Sequence, residues 1–256
     1  MIALVRAEIL KIRSVRSTLI MLFVVVGLCL VPAVLISLLV GADDLAVMEP
    51  HDKASVLLVG VLLSETMLAV LAALVITGEY RFGTIRTTFL GEPRRVRVFL
   101  AKLVTVIGLS AVMATVMVTV TIGVGSLILN ARDVGLVLGS GQVPRLLYGT
   151  VLYAIVYAVI ALGLGTVLRN SAASIVLIIV IPWIVENIVA GILSALHHGS
   201  WGRWLPFQAG QRITADVSGE SVLGDRLSPW AGYGYCWLWA IALCALGAWF
   251  LHHRDA

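Results

Sequence analysis

The chain has 256 residues, of which 60% are hydrophobic and 12% are charged, and its mean hydropathy is +1.04. Soluble domains carry about 25% charged residues, so this composition excludes a water-soluble fold. It predicts an all-α integral membrane protein that crosses the membrane several times. The net charge of +4 does not point to nucleic acid, because membrane proteins collect Lys and Arg in their cytoplasmic loops.

The N-terminal stretch, residues 1–17, interleaves apolar side chains with cations such as Arg6 and Lys11. Wound as a helix, this pattern gives an apolar stripe and a basic face. It predicts an amphipathic interfacial helix with its cations toward anionic lipid headgroups. The charge-free segment 18–40 follows. It is longer than the apolar core of a signal peptide, about 7–15 residues, and is therefore predicted to be a retained first span.

Six segments are long and apolar enough to cross a bilayer, for which about 20 residues suffice. The predicted spans are residues 18–40, 54–77, 103–129, 146–168, 172–196 and 230–251. Pro32 is expected to kink the first span, and Pro182 is expected to interrupt the fifth. The last connection, residues 197–229, carries Trp201, Trp204 and Phe207, which suits an extracytoplasmic aromatic belt or a short re-entrant helix.

With six spans both termini lie on one side of the membrane, and the basic residues indicate which side it is. Of the 18 Lys and Arg residues, 12 fall on the side of the termini and six on the other, where most of the acids also lie. Because Lys and Arg favour the cytoplasmic side, both termini are predicted to be cytoplasmic. The most basic segment, residues 78–102, is then a cytoplasmic loop between the second and third spans.

The sequence lacks the residues for nucleotide hydrolysis or metal chemistry. A phosphate-binding loop needs Gly-Lys followed by Ser or Thr, and none of Lys11, Lys53 and Lys102 follows a glycine. The two His-His pairs have no accompanying cluster of Cys or Asp, which disfavours a metal site. We therefore expect no catalytic residue, metal ligand or cofactor-binding residue in this chain.

The basic loop contains an acid, a Gly-Thr pair four residues on, a proline about ten residues further and a lysine at the start of the next span. These are Glu79, Gly83-Thr84, Pro93 and Lys102. This pattern resembles the first cytoplasmic loop of the ABC-2 type transporter permeases. Residues 8–18 resemble the interfacial elbow helix of bacterial members, and residues 205–211 resemble the segment before their last span. With the six spans, the resemblance covers nearly the whole chain.

The resemblance implies the ABC-2 permease architecture and a place in a bacterial cell membrane. It implies export of a small amphipathic compound such as a drug, an antibiotic, a peptide or a lipid. The implied partners are two ATPase subunits, which bind ATP and Mg²⁺, and a second permease subunit, identical or different. In that family the loop after the second span forms the coupling helix that docks on the ATPase. Carried over to this sequence, the docking residues are Glu79, Arg81, Gly83, Thr84 and Arg86.

The residue types in this loop agree with docking on a partner protein. Gly83 permits close approach of two backbones, and Arg81 and Arg86 offer forked donors to partner carboxylates. The alternative interpretation is a solvated basic loop that only sets the orientation of the chain in the membrane.

Glu65 and Glu186 are the two acids inside predicted spans. Charged groups at such positions are costly and usually face a bundle interior or a water-filled cavity. Each acid lies roughly 15 Å from the outer end of its span, so the two are able to face each other or to line one pathway for cationic or amphipathic cargo. The alternative is that either acid is protonated, or is bonded to a neighbouring helix as a structural tie.

Two other classes of function stay open. One is a carrier or channel driven by an ion gradient, with Glu65 and Glu186 as proton sites; it predicts transport by the chain alone. The other is a non-transporting membrane component, such as an immunity or sensor subunit. It predicts a phenotype that is independent of any ATPase.

Overall fold

The structure is a computed structural model that describes residues 1–196, 199–215 and 227–253. These residues fold almost entirely into α-helices and contain no strand. In chain order the helices are α1 (Ile2–Ser14), α2 (Arg16–Leu39), α3 (Ala42–Val47), α4 (Pro50–Leu57), α5 (Val59–Arg81), α6 (Ile85–Gly91), α7 (Arg95–Asn130), α8 (Val143–Leu168), α9 (Ser171–Val180), α10 (Glu186–Ala195), α11 (Pro206–Gln211) and α12 (Pro229–His253). A π-helical turn, Ile181–Val185, joins α9 to α10, and a 3-10 helix, Gly199–Trp204, precedes α11.

Within the described ranges, six helical segments are long and apolar enough to cross a membrane: α2, α5, α7, α8, α9 continued by α10, and α12. This confirms the predicted all-α membrane protein with six spans. Helix α1 occupies the stretch that was expected to form an interfacial helix, and its position at a membrane surface stays a prediction. The predicted connection 197–229 lies partly outside the described residues.

The connection between helices α5 and α7 covers residues 82–94, which lie inside the predicted loop 78–102. Helix α5 continues to Arg81 and α7 begins at Arg95, because the helix-forming residues after Pro93 contain nothing that would delay the helix. Helix α7 has 36 residues and is therefore roughly 54 Å long at 1.5 Å per residue. Since the apolar layer of a bilayer is about 30 Å thick, α7 extends beyond it.

Helices α5 and α8 form the centre of the bundle, and two-thirds of the most apolar part of each is buried. Glycines allow the closest contacts. A Cβ on Gly163 of α8 would lie 2.9 Å from Cβ of Leu243 on α12, and one on Gly165 would lie 3.1 Å from the carbonyl oxygen of Ala73 on α5. Small residues of this kind let membrane helices pack backbone to backbone. Helix α8 is thereby fixed to both α5 and α12.

One end of the bundle, here called the basic end, carries α1, α6 and Arg169, while the opposite end carries α3, α4 and α11. Two arginines at the basic end bind the last carbonyl groups of α12. Arg95 Nη1 lies 3.0 Å from Leu251 O, and Arg169 Nη2 lies 2.9 Å from Phe250 O. Because the final carbonyls of a helix have no partner within the helix, these cations hold its C-terminus in place.

The fifth span is interrupted at Pro182, as expected. Proline has no amide hydrogen to donate, and the helix widens there into the π-helical turn. The side-chain amide of Asn187 donates to the carbonyl groups of Pro182 (3.2 Å) and Trp183 (3.0 Å), while the Trp183 indole donates to Thr66 Oγ1 at 3.0 Å. The turn is therefore held by side chains where the regular hydrogen-bond ladder is broken.

Candidate functional site at the basic end

Four charged residues from three helices meet at the basic end. Glu8 and Lys11 come from α1, Glu79 from the end of α5 and Lys102 from the start of α7; we call them the ion cluster. Lys102 Nζ lies 2.8 Å from Glu8 Oε2 and 2.8 Å from Glu79 Oε1. Lys11 Nζ lies 2.9 Å from Glu8 Oε1 and 2.7 Å from Glu79 Oε1. Each lysine thus contacts both carboxylates.

The position of each residue in its helix explains how the ion cluster forms. Glu8 and Lys11 are three residues apart, so they share one face of α1. Glu79 lies two residues before the end of α5, at the base of the loop. Lys102 lies in an otherwise apolar part of α7, where its side chain faces the bundle and is fully buried (0% exposed). The apolar environment excludes water, so the ammonium group depends on protein acceptors.

The two lysines of the cluster find acceptors within the protein, whereas Glu79 Oε2 is buried without a hydrogen-bond partner among the described residues. Lys102 Nζ donates to both carboxylates and to Val75 O at 3.2 Å, which uses all three of its donors. Partial burial lowers the pKa of Lys11, but its hydrogen bonds to Glu79 and Glu8 and the charges of these carboxylates outweigh this, and the pKa is raised. Two positive and two negative charges therefore balance. Removing one partner of a buried ion pair costs about 3–5 kcal/mol, because it leaves a buried charge unpaired.

The segment beside the cluster is exposed. We call residues 81–91 the docking segment. Of the predicted docking residues, Arg81, Gly83, Thr84 and Arg86 are all exposed on this segment. Gly83 has φ +69, a conformation that glycine adopts without steric cost. The structure thus brings these four predicted residues together on one exposed turn and short helix.

Glu79 differs from the other four predicted docking residues. Its side chain is buried in the ion cluster, so it does not lie on the exposed surface with the arginines. Sequence reasoning also missed two apolar side chains of the docking segment, Phe82 and Leu90, which are 75% and 84% exposed. The sequence does show both as large apolar residues outside the predicted spans. That position could have indicated an interaction surface, since clustered exposed apolar groups mark such surfaces.

The two acids within the spans have different surroundings. Both oxygens of Glu186 accept backbone hydrogen bonds at the start of α11, from Phe207 N (2.9 Å) and Gln208 N (2.8 Å). This is the arrangement of a structural tie. Glu65 is 2% exposed, and neither of its oxygens has a hydrogen-bond partner among the described residues. Thr66, next to Glu65, accepts a hydrogen bond at 3.0 Å from the indole of Trp183, three residues before Glu186, so the two acids lie on helical segments that are in contact.

Metal binding has no support in the part of the chain that the structure describes. No group of three His, Cys, Asp or Glu side chains is suitably placed there. One of the two His-His pairs, His197-His198, lies outside the described residues. The three cysteines are buried free thiols, which agrees with the packing role expected for thiols in apolar segments.

The family of the chain follows from comparison with known proteins. Residues 4–184 match the family described as ABC-2 family transporter protein. The chain belongs to this ABC-2 family. It is also similar to the uncharacterized membrane protein YdbK of Bacillus subtilis (strain 168), with 25% identity over 201 residues, which cover 76% of this chain and 78% of YdbK.

Membership of the ABC-2 family gives the basic end its context. Proteins of this family are transport subunits in the membrane that associate with ABC ATPases, so this ABC-2 protein is a permease-type subunit of an ABC transporter. The matched region includes all four residues of the ion cluster and the whole docking segment, whereas Glu186 lies just beyond its end.

Proposed function

We propose that this chain is the transmembrane subunit of an ATP-driven exporter of a small amphipathic compound, and that its docking segment binds the ABC ATPase. The drug, antibiotic, peptide and lipid classes named above are the candidate cargoes. ATP and Mg²⁺ bind to two partner ATPase subunits, and a second permease subunit, identical or different, completes the membrane part. The basic end faces the cytoplasm of a bacterial cell.

The observation that carries the proposal is the contrast between the docking segment and its supports. The segment offers Arg81, Phe82 and Arg86 to solvent, which is a combination of forked donors and an apolar anchor suited to a protein partner. The residues on either side of it, Glu79 and Lys102, are buried and paired with each other at 2.8 Å. A partner that moves the exposed segment therefore pulls directly on the ends of α5 and α7.

The charge distribution supports the proposed orientation. Among the described residues, 11 Lys and Arg lie at the basic end and five at the opposite end. The five are Lys53, Arg132, Arg145, Arg203 and Arg212. A bias of this size favours the basic end on the cytoplasmic side, which is the side where ATP is available to the ATPase.

For the cargo pathway, Glu65 is a better candidate than Glu186. Both carboxylate oxygens of Glu186 already accept hydrogen bonds from the backbone of α11. Neither oxygen of Glu65 accepts a hydrogen bond from the described residues. In the proposed mechanism the spans move apart when ATP drives the two ATPase subunits together, and Glu65 then becomes accessible to cationic cargo. Unpaired acids within membrane segments are commonly used in this way.

The docking surface is tested by charge reversal. The chain is co-expressed with the ABC ATPase encoded beside it, and the ATPase that co-purifies in detergent is measured. We expect Arg81→Glu/Arg86→Glu to lower co-purification at least tenfold, since both donors become repulsive toward partner carboxylates. The matched control is Arg94→Glu/Arg97→Glu, which reverses two exposed arginines of the basic end outside the docking segment and which we expect to leave binding unchanged.

Two outcomes contradict the proposal. Equal loss of binding in the control variant would reduce the effect to general charge and support the topology interpretation. Transport at full rate by the purified chain in vesicles without any ATPase would instead favour the carrier driven by an ion gradient.

A further inference from the structure

The ion cluster joins every pair among three helices. Lys11–Glu79 (2.7 Å) links α1 to α5, Glu8–Lys102 (2.8 Å) links α1 to α7, and Glu79–Lys102 (2.8 Å) links α5 to α7. The base of the docking segment is therefore bonded to the N-terminal helix as well as to the third span. Glu79 accepts from both lysines through the same oxygen, so it forms the junction.

Helix α1 depends on this cluster for its attachment. Among its 13 residues, Glu8 alone is buried. Apolar residues of the same helix are open on its surface, Ile2 at 79% and Leu10 at 64%. Leu4, Val5 and Ile12 of α1 are half-buried, so the ion pairs of Glu8 and Lys11 are the most buried contacts that attach α1 to α5 and α7.

The N-terminal helix in turn positions the start of the first span. A single residue, Val15, separates α1 from α2. Because this connection is so short, a displacement of α1 also displaces the start of α2. None of residues 16–24 is buried, and the buried contacts of α2 begin at Val25, whose carbonyl accepts from Ser64 Oγ of α5 at 2.9 Å. The first turns of α2 therefore have no fully buried residue, and Met21 packs against the core only in part, so α1 contributes to the position of this half of α2.

We propose that Glu8, Lys11, Glu79 and Lys102 are positioning residues that carry movement of the docking segment to α1, and through α1 to the first span. This inference rests on the proposed function, because the movement originates in an ATPase bound at the docking segment. In this proposal Glu79 transmits force inside the protein. The exposed residues beside it make the direct contact with the ATPase. It also makes the N-terminal helix a working part of the transporter rather than a passive anchor in the lipid surface.

The test separates α1 from the cluster without leaving a buried charge unpaired. The variant Glu8→Leu/Lys11→Met removes both charges of α1 and keeps the Glu79–Lys102 pair. It is reconstituted with the ATPase in vesicles, and cargo transported per ATP hydrolysed is measured together with ATPase binding. We expect normal binding and hydrolysis with transport per ATP lowered at least fivefold. The matched control, Arg6→Met/Arg13→Met, removes two exposed cations from the same helix and is expected to transport normally.

A distance measurement gives a readout that a purely structural role would not change. Spin labels are placed at the exposed positions Leu10 on α1 and Leu90 on α6. In the otherwise wild-type complex, the distance between the labels is expected to stay constant when ATP binds, because α1 follows the docking segment. In Glu8→Leu/Lys11→Met, the distance is expected to change on ATP binding.

The outcomes distinguish this inference from the proposed function. If the double variant transports with wild-type efficiency while the ATPase stays bound, transmission through α1 is wrong and the docking proposal stands. If charge reversal at Arg81 and Arg86 leaves ATPase binding unchanged, the docking proposal itself fails. Should the double variant not fold, Lys11→Met serves instead, since its side chain is nearly half exposed. Its transport per ATP is expected to fall at least twofold and to be restored in Lys11→Arg; no fall overturns the inference.

Discussion

At the scale of single residues, the two acids within the spans illustrate how hydrogen bonding decides the cost of a substitution. Glu186 holds the start of α11 through Phe207 N and Gln208 N, so its carboxylate oxygens are needed as acceptors. Glu65 is buried without such partners among the described residues. An isosteric amide therefore has different consequences at the two positions.

We expect Glu186→Gln to lower the free energy of unfolding by about 1.5–3 kcal/mol, because an amide NH₂ would face a backbone donor and a charge-assisted bond is lost. Glu65→Gln, the matched comparison, is expected to lower it by less, because no hydrogen bond with the described residues is lost. Unfolding of the purified variants in detergent measures both. Equal losses would show that the acids have similar structural roles.

The same two variants address the cargo pathway. If Glu65 lines it, Glu65→Gln lowers the export of cationic compounds while neutral compounds are exported normally. Combining it with Glu186→Gln should add nothing specific to cations beyond the loss caused by the weaker fold. Unchanged export of every cargo would remove Glu65 from the pathway.

At the scale of single elements, the docking segment depends on the turn at Gly83, between α5 and α6. This residue has φ +69, and a Cβ there would meet no atom within 4 Å. A substitution is therefore limited by backbone conformation and not by space. Residues other than glycine pay roughly 1–2 kcal/mol for the left-handed conformation.

We expect Gly83→Ala to weaken ATPase binding about five- to tenfold, since the strain of about 1 kcal/mol shifts the turn away from the docking conformation. Gly91→Ala is the control, because Gly91 lies at the end of α6 and also has open space around it, but its φ is not in the left-handed region. The dissociation constants of both variants for the ATPase are compared in nanodiscs. Equal affinities would mean that the turn geometry does not matter for docking.

The elements also show what the sequence was able to predict. Six apolar segments of sufficient length identify six spans, and Pro182 identifies the interruption of the fifth. The partners of Glu79 were not predictable in this way, because Lys11 and Lys102 lie 68 and 23 residues away in the sequence and reach Glu79 only through the packing of α1, α5 and α7. One feature pointed toward the contact: Glu8 is the single acid within the basic helix α1. A buried partner for it was a reasonable hypothesis.

The same limit applies to Glu186. The sequence allowed its distance from the outer end of the span to be estimated. It did not identify α11 as the partner segment, because every residue except proline has a backbone amide and residue type therefore does not reveal such a donor. Local patterns report which stretches become helices. Contacts between helices depend on rotation and depth, which small residues such as Gly163 and Gly165 fix through close packing.

At the scale of the whole molecule, burial is distributed unevenly over the spans. Two-thirds of the apolar part of α5 and of α8 is buried, against 17% for α2 and 11% for Ser171–Ala195. The central pair is thus the most buried part of the bundle. The peripheral spans have apolar surfaces that lipid or a second permease subunit would cover, and they are the spans that a pull at the basic end can displace most easily.

The whole proposal requires that the basic end face the cytoplasm, and exposed cysteines test this directly. All three natural cysteines are buried, so a thiol reagent is expected to react little with them in the folded protein.

We place single cysteines at Phe82, in the docking segment, and at Val47, which is 86% exposed at the end of α3 on the opposite side. A membrane-impermeant maleimide is expected to label Val47→Cys in intact cells and Phe82→Cys only after permeabilisation, because Lys and Arg retain the basic end inside. Labelling of Phe82→Cys in intact cells would place the docking segment where no ATPase can reach it, and both the docking proposal and the transmission through α1 would be wrong.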